Sequence, residues 1–197
     1  MNRPVSFSLF AITLAAALAA CAAPSGPRPS TLPPGREAIP LANPGFTPDA
    51  AGRIPGWTML EHMTGNSYTF VPDKKFALSP PASVRIRRHG REFYGVMDQR
   101  VRVQPGWANR TVRLSGWLRS EGATGTGGAL VLLVRDGSDQ ILAAEQMDGR
   151  RVRGTQDWQQ HAVQVKLPPG AWWLQVGTML QDDGTLWADD LKLELMD

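Results

Sequence analysis

Alternation of apolar and polar positions dominates most of this chain. Ser83-Val84-Arg85-Ile86-Arg87 places an apolar side chain at every second position, and so does Arg100-Val101-Arg102-Val103. Thr111 to Arg119 sets Val112, Leu114, Gly116 and Leu118 against Arg113, Ser115, Trp117 and Arg119. His161 to Leu167 and Leu191 to Leu195 repeat the pattern. Successive side chains of a strand point to opposite faces, so period two predicts half-buried strands. Gly128 to Val134 is almost continuously apolar, as a strand covered on both faces is. Pro105-Gly106, Asp136-Gly137, Pro168-Pro169-Gly170 and Asp183-Gly184 punctuate these runs as turns. Only Asp49 to Ala51 suggests a short helical turn. The Gly122 to Gly128 stretch reads as a flexible hairpin loop, because no helix follows it to take a phosphate at its N-terminus. Many short strands at this spacing predict an all-β fold, a sandwich or barrel.

The first forty residues follow another rule. Val5 to Leu18 is apolar behind Met1-Asn2-Arg3, with the length of a signal h-region and too little to span a bilayer. Leu18-Ala19-Ala20-Cys21 resembles the lipobox of a bacterial lipoprotein signal peptide. The resemblance implies a signal peptide over 1–20, cleavage before Cys21, a diacylglycerol on its sulfur and an acyl chain such as palmitate on its amine. The membrane is then a partner through the lipid. Ala22 stands where the retention signal has Asp, which points to the outer membrane. The alternative is an ordinary secretory leader with a chance cysteine. Residues 21–40 are expected to be the lipidated Cys and a tether, because Pro24, Pro27, Pro29, Pro33, Pro34 and Pro40 favour extended polyproline II. At about 3.1 Å per residue the tether reaches roughly 50 Å. Residues 41–197 are expected to be one domain, large enough to bury roughly 70% of its unfolded surface. The chain has one cysteine, so no internal disulfide supports that domain.

Charge changes the picture little. The formal net charge is +3, a mild basic bias and not a nucleic-acid composition. The densest basic stretch holds Lys74, Lys75, Arg85, Arg87, Arg88, His89 and Arg91. It reads either as attraction to an anionic envelope polymer or as a solvated face that protects a sheet edge.

Several landmarks, in order, resemble the jelly rolls of carbohydrate-binding modules of the galactose-binding-like type. Asn43-Pro44-Gly45-Phe46 followed by Ile54-Pro55-Gly56-Trp57 is similar to their opening. Pro81 to Ile86 resembles their next strand, and Gln99-Arg100-Val101-Arg102-Val103-Gln104-Pro105-Gly106 another. Trp158, Pro168, Ala171 and Gly184 to Leu191 match the close. Met147 to Trp158, with Arg151, Gly154-Thr155 and Asp157-Trp158, resembles a subgroup found beside varied bacterial domains. The resemblance covers nearly all of the chain after the tether. It implies a two-sheet antiparallel jelly-roll sandwich and no particular ligand.

Seven tryptophans supply the candidate chemistry. Trp57, Trp158 and Trp187 occupy pattern positions and are expected in the core. Trp117 shares a phase with Arg119, opposite the leucines. Trp173 shares a phase with Gln175 and Met179. An aromatic on a polar face suits a sugar, whose apolar face stacks on the ring while neighbours bond its hydroxyls. Trp117, Arg119, Trp173 and Gln175 are therefore expected either to line a shallow ligand groove or to pack as a second small core under the Ala143 to Gln156 connection. Asp189 and Asp190 resemble the structural calcium site of related jelly rolls, but Thr47 stands where those carry an acid, so no cofactor is expected. His62, His89 and His161 show no metal-ligand spacing, and no Gly-x-Ser-x-Gly elbow occurs. The expected function is non-catalytic recognition of a carbohydrate or envelope polymer. The alternative is a structural or assembly lipoprotein binding an envelope protein. Intact mass of the mature protein tests the anchor: a chain beginning at acylated Cys21 is expected, and one beginning at residue 22 or later without acyl mass overturns it.

Overall fold

The computed structural model describes residues 33–63 and 65–197. The leader, Cys21 and most of the tether lie outside the described residues. Among those described, the chain forms ten strands: β1 (Arg36–Ile39), β2 (Thr58–Glu61), β3 (Tyr68–Asp73), β4 (Ser83–Arg88), β5 (Tyr94–Arg102), β6 (Thr111–Arg135), β7 (Ile141–Glu145), β8 (Val152–Lys166), β9 (Trp173–Gln181) and β10 (Thr185–Met196). A single 3-10 turn, Pro105–Trp107, sits where Pro105-Gly106 predicts a turn. Every ladder is antiparallel.

The strands form two layers. The first sheet runs β2-β5-β9-β6-β7 and uses β6 from Gly127 to Arg135. The second runs β3-β4-β10-β6-β8 and uses the earlier part of β6, from Thr111. The inward faces, with Leu130, Leu132, Leu174 and Val176 on one side and Ile86, Leu114, Leu118 and Leu186 on the other, meet in one core. Each fully buried Leu or Ile there contributes about 1.5–3 kcal/mol over leaving it exposed. The alternation predicts a sandwich or barrel, and the resemblance implies this two-sheet antiparallel jelly roll.

Two motif residues act as backbone clamps. The Asn43 side chain accepts the Thr47 N–H at 2.8 Å and donates to the Thr47 and Pro55 carbonyls. Its own carbonyl accepts the Trp57 indole N–H at 2.9 Å, and Trp57 packs on the fully buried Phe46. Gln99 bonds both the N–H and the carbonyl of Ala42. A buried amide that mimics a backbone partner satisfies groups that the sheet leaves open.

The structure corrects four expectations. Gly122 to Gly128 is not a hairpin loop; it is the corner at which β6 passes from the second sheet to the first. Gly122, Gly125 and Gly127 take positive φ there, which L side chains rarely adopt. The Thr126 N–H donates to the Asp182 carboxylate at 2.7 Å and holds the corner to the β9–β10 turn. The tether also ends sooner than residue 40: Arg36–Ile39 pairs with Leu193 to Met196, and Ile39 enters the core. A free edge of β10 and one apolar side chain outweigh the extended bias of the flanking prolines. Trp158 is half-exposed, whereas Trp57 and Trp187 are buried as expected. Asp49 to Ala51 is a turn in which the Asp49 carboxylate accepts the Ala51 and Arg53 N–H groups.

A Cβ on Gly127 would lie 2.3 Å from the Val152 carbonyl oxygen, at φ +84°. Gly127→Ala is expected to cost at least about 2 kcal/mol in urea unfolding. Gly106→Ala, whose Cβ meets nothing within 4 Å, is expected to change little.

Candidate functional site

The outward face of the first sheet carries a groove of about 480 Å³. Its floor is apolar: Val96 from β5, Val131 and Leu133 from β6, and Met179 from β9 form a second cluster, separate from the core, with Tyr94 packed against it. This explains the unbroken apolar run of β6. Its inward residues fill the core while its outward ones pave the groove. Leu60 and Ile141, 47% and 53% exposed, stand on opposite sides as walls.

Polar groups are held in the middle of this floor. The register sets Leu133, Gln175 and Arg100 in one cross-strand row, and Val131, Gly177, Asp98 and Thr58 in the next. The Gln175 amide donates to the buried Asp98 carboxylate, while its oxygen accepts the Arg135 Nε–H at 2.8 Å. Arg135 is tied in turn to the Asp139 carbonyl at 2.7 Å. The cavity continues past Asp98 and Gln175 toward Gly56, Thr58 and Arg100. At its other end Arg151, with a side chain only 7% exposed, donates to the Gln181 and Gln146 side chains and fixes both in the wall.

Burial pushes the Asp98 carboxyl above the usual carboxylate range. The Gln175 hydrogen bond and the Arg100 and Arg135 charges oppose this without overcoming it. Perturbed carboxyl groups occur both at functional sites and in buried structural networks.

The four residues expected to share a groove do not share one. Gln175 lies at its centre. Trp173 lies one row away on the same face, with the Arg102 guanidinium 5.4 Å from its ring. Trp117 and Arg119 lie on the outward face of the other sheet, where Trp117 pairs with Gln160 and Asp189. Arg119 does pack in a second small core, but against Phe76 and Trp187 at 4.4 and 4.8 Å, not under the Ala143 to Gln156 connection. That connection holds part of β7 and the start of β8, and it inserts Met147 into the main core. Tyr94, Val96, Asp98 and Arg135 were not anticipated. The alternation of Arg100 to Val103, extended back to Tyr94, puts Tyr94, Val96 and Asp98 in phase with Arg100.

Asp189 does not fit a calcium ligand. Its carboxylate accepts the Leu78, Ser79 and Asp190 N–H groups and the Ser79 hydroxyl, all within 2.9 Å. Among the described residues no group of three or more His, Cys, Asp or Glu is placed to hold a metal. The Asp189 carboxylate instead fastens the segment between β3 and β4.

No protein-family model matches the chain. Over 91 residues, 46% of its length, it is 24% identical to the uncharacterized HTH-type transcriptional regulator YbfP of Bacillus subtilis (strain 168), of which it spans 30%. Among solved structures it is similar to the enzymatically active domain of tailspike protein 4 of bacteriophage CBA120, with a TM-score of 0.59 and 13% identity over 79% of this chain and 21% of that one. A CBM4 structure gives a TM-score of 0.54 and 13% identity over 80% of this chain and all of the other. The CBM22-1 xylan-binding domain of Paenibacillus barcinonensis Xyn10C gives 0.50 and 17% over 77% and 90%. The shared property at these identities is the sandwich fold.

An acid whose folded pKa is raised binds its proton more tightly when folded, so its contribution to stability falls as pH rises through the window above the unfolded value of 3.8. Asp98→Asn is therefore expected to melt higher than the parent at pH 7. Thermal scans should show the difference closing as the pH drops toward 3.8.

Proposed function

We propose that this chain is a non-catalytic carbohydrate-binding lipoprotein. The groove on the first sheet takes a glycan, and the lipid on Cys21 holds the domain at the cell envelope, in the outer membrane. The observation that carries the glycan reading is the fixed Asp98–Gln175–Arg135 chain set in an apolar floor. A sugar ring presents an apolar face ringed by hydroxyls. Val96, Leu133, Met179 and Tyr94 match the first, and the polar chain supplies acceptors and donors for the second. The likeness, over 80% and 77% of this chain, to a CBM4 structure and a xylan-binding domain supports this reading. So does the state of the groove carboxylates. Glu61 already accepts the Ser67 and Tyr68 N–H groups, and Asp98 is engaged by Gln175. Glycoside hydrolysis uses a pair of carboxyl groups free to flank the scissile bond.

A second reading, docking of an envelope protein, is favoured by the apolar groove walls, where Leu60 and Ile141 are exposed. A glycan array with the mature chain carrying Cys21→Ser separates the two. Discrete hits on neutral sugars are expected. Gln175→Ala should weaken them about tenfold, the loss of one well-placed hydrogen bond in a water-poor site. Trp117→Ala should leave them unchanged. Silence on the array with a single envelope protein co-purifying would replace the glycan reading by the second.

A further inference from the structure

The opposite face of the molecule carries a pocket of different character. Its volume is about 430 Å³, and Arg85, Arg87, Arg88, Thr185 and Trp187 contribute to its wall. The register explains why arginines gather there. On the outward face of the second sheet, Arg85, Trp187 and Arg119 form one cross-strand row over β4, β10 and β6, and Arg87, Thr185 and Glu121 form the next. The segment between β3 and β4 brings Phe76 over this face, edge-on to Trp187 at 5.3 Å. Arg119 is held against both rings.

These guanidinium groups are incompletely compensated. Arg85 faces Asp73 at 3.4 Å, but Asp73 already accepts the Trp187 indole N–H and the Lys75 and Phe76 N–H groups. Arg88 donates to Asp183 at 3.0 Å, a carboxylate that is 73% exposed, and to the Arg91 carbonyl at 2.9 Å, and Arg119 reaches Asp157 at 3.6 Å, which is 90% exposed. Arg87 is exposed on the pocket wall. Three buried nitrogens, Nε of Arg85, Nε of Arg88 and NH1 of Arg119, find no acceptor among the described residues. Buried donors are normally satisfied. A set of partly dried guanidinium groups, each with a donor left unpaired, suits a tetrahedral oxyanion.

We propose that this pocket binds a phosphoryl group. Arg87 and Arg85, the latter 41% exposed, provide the accessible forks, Arg88 and Arg119 add partly desolvated positive charge beside them, and Thr185 lies next to Arg87 in the same cross-strand row. Asp183 and Glu121 also line the pocket and act as competitors. Asp183 takes one arm of the Arg88 fork and the Arg91 carbonyl the other. The site lies on the sheet opposite the glycan groove and does not rest on that reading.

The test is titration of the mature Cys21→Ser chain with inorganic phosphate at low salt, followed by the arginine Nε–H resonances. The Arg85 and Arg88 signals are expected to move with a common saturation curve. Arg87→Ala should weaken binding about tenfold. Asp183→Asn should tighten it about threefold, an outcome that misfolding cannot mimic. Gln175→Ala should leave phosphate binding unchanged, which keeps this site distinct from the groove. The source of the group follows from two further arms. Saturation by a sugar phosphate and not by phosphatidylglycerol vesicles supports the site with a phosphorylated glycan as its ligand, and the reverse supports it with a lipid headgroup. Resonances that do not move, or affinities equal in parent, Arg87→Ala and Asp183→Asn, overturn the proposal.

Discussion

One strand belongs to both layers of this sandwich, and its bend at Gly122 to Gly127 governs what each exterior presents. Strand alternation assigns side chains to two faces only while the strand stays in one sheet. Before the bend, the outward residues of β6 are Trp117 and Arg119, beside β10 and β8. After it they are Val131, Leu133 and Arg135, beside β9 and β7. The same element therefore supplies an aromatic and basic exterior to one sheet and an apolar floor to the other. The bend needs backbone conformations open mainly to glycine. It also needs the Asp182 carboxylate, which takes up the Thr126 N–H exposed by the break in pairing.

The buried carboxylates show which polar groups hold the fold and which stand ready for something else. Asp73 and Asp98 both lose solvent on folding. For Asp73, burial raises the pKa, but the Trp187 indole, the Phe76 and Lys75 amides and Arg85 together bring the carboxyl below its ordinary value. For Asp98, burial wins against Gln175 and the two nearby arginines, and the carboxyl stays above it. A carboxylate satisfied by several fixed donors stabilises the native state, as Asp189 also does where it anchors Leu78 and Ser79. One left under-compensated costs stability, and it lies in the groove.

Period two made the strands legible, and the order of Asn43, Gly45, Phe46, Gly56, Trp57 and Gln99 made the jelly roll legible. Those residues are now seen to be clamps and core anchors, which explains why they mark the fold and not the ligand. The groove was less readable for two reasons. Tyr94 to Gln99 carries apolar or buried side chains on both faces, so its outward set of Tyr94, Val96 and Asp98 does not stand out from the core set. The second reason is the bend. Trp117 and Gln175 each lie outward on their own strands, and local phase does not reveal that the two outward directions oppose each other. The role of Arg151 was equally hidden, because Gln146 and Gln181 come together only through the pairing of distant strands.

Within the groove, rigidity matters as much as composition. A flexible glutamine on an open surface gives up much of a hydrogen bond in ordering itself. Gln175 is ordered beforehand, because Asp98 holds its amide and Arg135 its oxygen, while Asp139 holds Arg135. Gln146 and Gln181 are held in the same way by Arg151. The surrounding Val131, Leu133 and Met179 lower the local dielectric, which strengthens each polar contact that a ligand completes. A short chain of fixed polar groups in a dry floor thus serves recognition better than a larger number of mobile ones. On the proposed glycan reading it concentrates specificity in Asp98, Gln175 and Arg135.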